Sequence, residues 1–89
     1  MKFEYDSHKS EKNRTKHGID FEEAQALWND DDLLILPLRF EAEPRQACIG
    51  RLNGKHWTAI MTCRGDIVRL ISVRRSRKDE VYAYESTEY

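Results

Sequence analysis

The stretch Arg64-Gly65-Asp66-Ile67-Val68-Arg69-Leu70-Ile71-Ser72-Val73-Arg74-Arg75-Ser76-Arg77-Lys78 carries a turn, a strand and a helix start in immediate succession. Glycine with aspartate makes a tight turn, Ile67 to Arg75 has strand composition, and Ser76 is suited to capping the next helix. The arginines set this strand apart. A guanidinium is permanently charged and its planar donor fork matches phosphate, so the run implies a surface for a polyanion, RNA first among the candidates. Side-chain alternation sends Arg69 and Arg75 to one face of the strand and Arg74 to the other.

Working upstream, Lys55 to Cys63 and Gln46 to Leu52 are strand-like runs joined by Asn53-Gly54, a hairpin signal, so three strands form an antiparallel meander. Leu33 to Leu38 reads as a buried strand ended by Pro37, and a Glu- and Pro-rich loop leads from it into the sheet. Before it, Asp20 and Glu23 form a capping box, and Phe21, Ala24, Leu27 and Trp28 make the apolar face of a helix broken by Asn29 to Asp32. A more polar helix precedes it, capped by Asp6 or Ser7, running through Lys9, Lys12 and Lys16 and closing at His17-Gly18. Phe3-Glu4-Tyr5 opens the chain as a short strand, and Arg77 to Tyr84 closes it as a helix. The expected architecture is α+β in the order β-α-α-β-β-β-β-α, an antiparallel sheet with helices packed on it and both tryptophans in the core.

Eighty-nine residues fit one domain, 1–89, with one modest core. The net charge of −1 is uninformative until it is divided along the chain. From Asp20 to Pro44 eight acids face Arg39 alone, a net of −7; from Arg64 to Lys78 six bases face Asp66 alone, a net of +5. The division implies a polarised molecule with a basic face. Cys48 and Cys63 lie in apolar runs without zinc-ligand spacing and read as reduced core residues. No leader, long apolar span or lipidation motif is present, so the expected compartment is the cytosol, with no membrane contact. The acidic stretch from Asp30 to Glu43 reads chiefly as a solubility feature, and the apolar edge from Leu33 to Leu38 as a place for a partner chain.

The segments Asn13-Arg14-Thr15-Lys16-His17-Gly18-Ile19-Asp20-Phe21-Glu22-Glu23-Ala24, Ile49-Gly50 and Thr62 to Arg75, together with Glu80 and Tyr82, resemble the BrnT toxins over nearly the whole chain. Val73 stands where that family usually has alanine. The resemblance implies a RelE/ParE-like fold and a cytoplasmic bacterial type II toxin that cuts mRNA and inhibits translation. It also implies a BrnA-like antitoxin, DNA-binding and of ribbon-helix-helix type, through which alone operator DNA is reached; ribosome association of the RNA is left open.

The residues themselves supply a route to RNA cleavage with no metal or other cofactor. A base frees the ribose 2′-hydroxyl to attack its own phosphodiester, cations hold the phosphorane, and an acid protonates the leaving oxygen. His17 is the natural proton carrier, with Glu22 as an alternative base; Arg64, Arg74 and Arg75 complete the candidate catalytic set. Lys16, Arg69, Arg77, Lys78 and Tyr82 are candidate RNA contacts, Tyr82 as a stacking ring. Each has a structural alternative. His17 and Lys16 suit a helix C-terminus, and Glu22 suits a helix N-terminus. Any one arginine can serve an ion pair, with Glu22, Glu23 or Glu80 as its acid, and Tyr82 can pack on the sheet. Two other functions stay in view: a non-catalytic module for nucleic acid or an acidic partner, and a toxin of the same fold aimed at gyrase.

Overall fold

The computed structural model describes residues 1–39 and 43–86; Phe40, Glu41 and Ala42 of the anticipated Glu- and Pro-rich loop lie outside the described residues. The elements are β1 (Lys2–Glu4), α1 (Ser7–His17), α2 (Phe21–Ala24), a 3-10 segment (Gln25–Asn29), β2 (Leu34–Leu38), β3 (Arg45–Leu52), β4 (Lys55–Arg64), β5 (Ile67–Arg75) and α3 (Lys78–Ser86). The class is α+β. One five-stranded sheet runs β1-β5-β4-β3-β2. It is mixed, not antiparallel throughout: β2 to β5 form the expected meander, but β1 lies parallel to β5, Phe3 opposite Val68. Aromatic contacts hold the N-terminal strand there, with Phe3 edge-on to Trp28 at 5.1 Å and Tyr5 edge-on to Phe21 at 5.6 Å. That contact also accounts for Trp28, which is half-buried and not fully in the core.

The core lies between one sheet face and the α2 region, where Phe21, Ala24 and Leu27 cover Cys48, Trp57, Ala59, Met61, Val68, Leu70 and Val73. The capping box forms as anticipated, Asp20 Oδ1 accepting Glu23 N–H at 2.7 Å and Glu23 Oε1 accepting Asp20 N–H at 3.1 Å. The α-winding nevertheless stops at Ala24 and tightens into the 3-10 segment, so the second helix is split. The tighter turn leads into close packing. A Cβ on Gly50 would stand 2.9 Å from Leu33 Cδ1 and 3.3 Å from both Leu27 Cδ2 and Asp30 Oδ2, so any side chain there would force these three neighbours to shift.

Helix α1 has almost nothing apolar to bury, and a helix without an apolar stripe must dock by other means. Asp6 caps its start, accepting N–H bonds from His8 and Lys9, and Gly18 at φ 81° closes it. Its two buried side chains are polar. Asn13 Nδ2 donates to the carbonyls of Ile19 and Val73, both at 2.8 Å, while its Oδ1 accepts Val73 N–H at 3.1 Å. Ser10 Oγ accepts Phe21 N–H at 2.9 Å. Beyond the short β1, the edge of β5 is thus satisfied by a side chain.

Four further expectations change. Leu34–Leu38 is an exposed edge strand rather than a buried one, and Pro37 sits inside it opposite Gln46, because an edge needs fewer donors. Cys63 lies near the end of β4 and is exposed, while burial, with the Cys63 thiol as a lesser cause, pushes the Cys48 thiol up to about 12. Helix α3 starts at Lys78: Ser76 Oγ bonds Thr58 Oγ1 at 2.8 Å, and Arg77 N–H donates to Glu80 at 2.8 Å. Finally, Ile60 pairs with Ser72 and Met61 with Leu70, so Ile71 bulges out of register. The bulge reverses the facing of the residues beyond it. Arg75, opposite Trp57, shares the helix-covered face with Val68, Leu70 and Val73, and Arg74 joins Arg69 on the other.

Asn13→Ala strands two carbonyls and one N–H, at a cost of about 1–3 kcal/mol per buried group before water re-enters. The expected result is a loss of roughly 3 kcal/mol in urea-unfolding stability, and an unchanged midpoint would refute the docking role. Gly50→Ala should cost about 1–3 kcal/mol by overpacking in the same assay.

Candidate nucleic-acid interface

The arginines that sequence reasoning grouped together are dispersed, and most have acidic partners. Arg69 Nη1 lies 3.2 Å from Glu4 Oε2 and Arg64 Nη1 lies 3.7 Å from the same oxygen, so both converge on β1. Arg74 holds Glu80 with two teeth, at 2.7 and 2.8 Å. Glu80 also accepts the Thr58 hydroxyl at 3.1 Å, which secures the start of α3 to β4 and β5. The Arg74 hydrogen bonds, opposed by burial, hold the Glu80 carboxyl down at about 2, and the same pairing raises Arg74. Arg75 is exposed, its guanidinium 5.5 Å from the Trp57 ring centroid. Glu80 was among the acids anticipated as arginine partners; Glu4 was not, and Glu22 and Glu23 form no ion pair among the described residues.

Three lysines of α1 are among the cations without an ion pair in the described residues. Lys9, Lys12 and Lys16 recur at helical spacing, and among the described residues no carboxylate lies within ion-pair distance of them. With His17 they border a groove of about 200 Å³ between α1 and the bulge of β5, where Ile71 and Ser72 form the opposite wall. Asn13 stands in the same groove, so the side chain that docks α1 also fixes the groove's width. Of the candidate residues the groove unites only Lys16 and His17. Glu22 is exposed at the first turn of α2, Arg77 and Lys78 are exposed where α3 begins, and Arg64 and Arg69 lie by β1.

Tyr82 does not pack on the sheet. It is 76% exposed, and Tyr84 supplies the packing instead, its hydroxyl donating to Asp30 Oδ2 at 2.6 Å. The same oxygen accepts Arg51 N–H at 2.8 Å, so Asp30 joins the 3-10 segment to β3 and α3. Burial opposes ionisation of Asp30, but the hydrogen bonds from Tyr84, Arg51 and Asp32 outweigh it and lower its carboxyl; burial and Asp30 together raise the Tyr84 phenol. His56, to which the sequence assigned nothing, bonds Glu85 at 2.8 Å and stands edge-on to Tyr84 at 5.4 Å. Sequence reasoning missed Lys9, Lys12 and Asn13 in the groove. The i, i+3, i+7 spacing of the lysines was a usable signal, whereas nothing local marks Asn13 as a docking residue.

Among the described residues no group of three or more His, Cys, Asp or Glu is placed to hold a metal ion, and no helix is long and apolar enough to cross a membrane. Residues 5–80 match the family described as "Ribonuclease toxin, BrnT, of type II toxin-antitoxin system", a span from α1 through β5 to Glu80. No curated protein matches the chain.

The Arg74–Glu80 pair has a defined pH signature. The carboxyl is depressed in the folded state, from the usual 4.5 to about 2, so its contribution is complete above pH 4.5 and disappears as pH falls through 2. Glu80→Gln should lower stability at pH 7 on the order of 2 kcal/mol, and the gap from wild type should close towards pH 2. Denaturant midpoints across that range measure it; a gap independent of pH would rule the pair out as its source.

Proposed function

Because the chain belongs to the BrnT family of ribonuclease toxins of type II toxin-antitoxin systems, we propose that it cuts single-stranded RNA by internal transesterification in the groove between α1 and β5. The carrying observation is that this groove of about 200 Å³ places His17 beside Lys12 and Lys16, cations without an acidic partner among the described residues. Ammonium groups free of internal pairing are available to phosphate, and neutralising it releases condensed counterions. His17 then moves the proton of the attacking 2′-hydroxyl or of the leaving oxygen, and the lysines stabilise the charge that builds on the phosphorane. No metal enters this scheme. Glu22 is the alternative base.

Arg75, over Trp57, belongs to the same end of the sheet as the α1 C-terminus, since Gly18 and Trp57 line one cavity. We assign it a phosphate next along the strand. Arg64, Arg69, Arg77 and Lys78 form the outlying cationic surface in this scheme, and exposed Tyr82 offers a ring for stacking a base. Arg74, as Glu80's partner, keeps α3 in place and acts on RNA indirectly. The proposed cellular setting is that of the family: a RelE/ParE-like toxin in a bacterial cytoplasm, mRNA as target, translation arrested.

A type II toxin implies an antitoxin partner. We propose a BrnA-like ribbon-helix-helix protein that alone contacts operator DNA. The edge strand Leu34–Leu38 is its docking place in this proposal, supported by Ile35 at 44% and Leu36 at 38% exposure on an all-apolar strand.

The test is RNA cleavage by the purified protein with EDTA present. Fragments ending in cyclic phosphate are expected. His17→Ala should slow cleavage by about 10²–10⁴-fold, and Lys12→Ala with Lys16→Ala should weaken RNA binding and reduce its salt slope by about 1.4, the worth of two contacts to a single strand. Activity abolished by EDTA in the wild type overturns the metal-free route; RNA left intact under every condition, ribosomes included, favours the binding-module or gyrase alternatives.

A further inference from the structure

A second cavity, of about 410 Å³, opens on the other side of the His17-Gly18 corner, between the α1–α2 junction and the β3–β4 hairpin. Buried Ile19 and Trp57 and half-buried Leu52 form its apolar wall, while exposed Glu23, Asn53 and Lys55 stand around it. The polar groups have unused capacity. One Glu23 oxygen closes the capping box at Asp20, but the other oxygen, the Asn53 carboxamide and the Lys55 ammonium have no partner among the described residues. The size falls in the range of small-molecule sites. Flat apolar wall with both donors and acceptors around it is the chemistry that recognises a planar heteroaromatic ring by its edge.

We infer that this cavity receives a nucleobase of the bound RNA, the one next to the phosphate held in the α1–β5 groove, and so selects where the strand is cut. The inference rests on the ribonuclease proposal for the phosphate in the groove and for the meaning of that selection. Its geometry is that of the corner itself: His17 borders the groove and the next residue, Gly18, borders the cavity. Sequence-specific proteins read single-stranded RNA by splaying out bases, packing their faces on aromatic or apolar walls and bonding their edges. Glu23 accepts, Lys55 donates, and the Asn53 carboxamide does both. Asn53 has φ 54°, so the hairpin turn itself fixes the backbone that carries this carboxamide at the cavity.

Trp57 provides a readout independent of catalysis. The chain has two tryptophans, and Trp28→Phe leaves Trp57 alone, with the aromatic contact to Phe3 retained. Each of the four nucleoside 5′-monophosphates is titrated against its fluorescence, with ribose 5-phosphate as the control for phosphate alone, and RNA cleavage positions are mapped in parallel. At least one nucleotide should give a saturable change that the control does not. Glu23→Gln preserves the capping acceptor, and Asn53→Gly preserves the left-handed turn. Each should weaken the nucleotide about tenfold, the worth of one hydrogen bond, and redistribute the cut positions.

The same response to ribose 5-phosphate as to the nucleotides, or no response to any of them, overturns the base site; so do unchanged cut positions in both variants. The absence of any nucleotide response is also the outcome expected if the cavity serves a protein side chain. Nucleotide binding by a protein that leaves all RNA intact upholds the cavity and removes the ribonuclease chemistry. Cleavage without nucleotide binding does the reverse.

Discussion

Two side chains stand where strands would otherwise be, and the placement of the helices depends on them. Strand β1 is paired with β5 only from Ile67 to Arg69, and farther along that edge the Asn13 carboxamide bonds both the N–H and the carbonyl of Val73. Strand β2 pairs with β3 only from Arg45 to Ile49, and beyond it Asp30 takes the N–H of Arg51. An unsatisfied buried backbone group costs about as much as a good hydrogen bond returns, so each residue docks its segment by meeting a need the sheet already has. Asn13 thereby places a helix with no apolar stripe, and Asp30 draws the 3-10 segment onto Gly50 while giving Tyr84 of α3 its acceptor.

The Ile71 bulge has consequences as large. Without it, alternation would put Arg74 on the helix-covered face with Val68 and Leu70; with it, Arg74 meets Glu80 across the opposite face and Arg75 lies over Trp57. Of the five arginines from Arg64 to Arg77, three are held by acids of the same chain, Arg64 and Arg69 by Glu4 and Arg74 by Glu80. Guanidinium suits that work, since its fork grips a carboxylate bidentately in a half-buried place. Lysine, a compact and strongly hydrated charge on a flexible stem, suits the open groove beside α1, where no acid among the described residues is there to grip.

Local rules recovered much of the fold. The Asp20–Glu23 capping box, the His17-Gly18 stop, the Asn53-Gly54 turn and the bounds of β5 each arise from a few adjacent residues. What local rules could not recover depends on distant residues. The parallel partner of β1 is set by Phe3 against Trp28, and the exposure of β2 by its position at the end of the sheet. The bulge depends on register with Ile60 and Met61, and Cys63 differs from Cys48 only in where its strand ends. The candidate groove divides the same way: Lys16 and His17 stood out by the chemistry of an ammonium and an imidazole, while Asn13 owes its place there to the distant backbone of Val73.

The way α1 is attached bears directly on function. A helix docked by an apolar stripe can slide and rotate by small amounts at little cost, because dispersion contacts have weak directionality. Two buried polar side chains, one with three hydrogen bonds to backbone atoms of two segments, leave no such freedom. The polar composition of α1 therefore does two things together. It leaves the outward face free to carry Lys9, Lys12 and Lys16, and it fixes that face relative to Ser72 and the bulge with hydrogen-bond precision. Proton transfer demands placement within hydrogen-bond reach, so a rigid helix at the groove is what His17 needs if it is to act there.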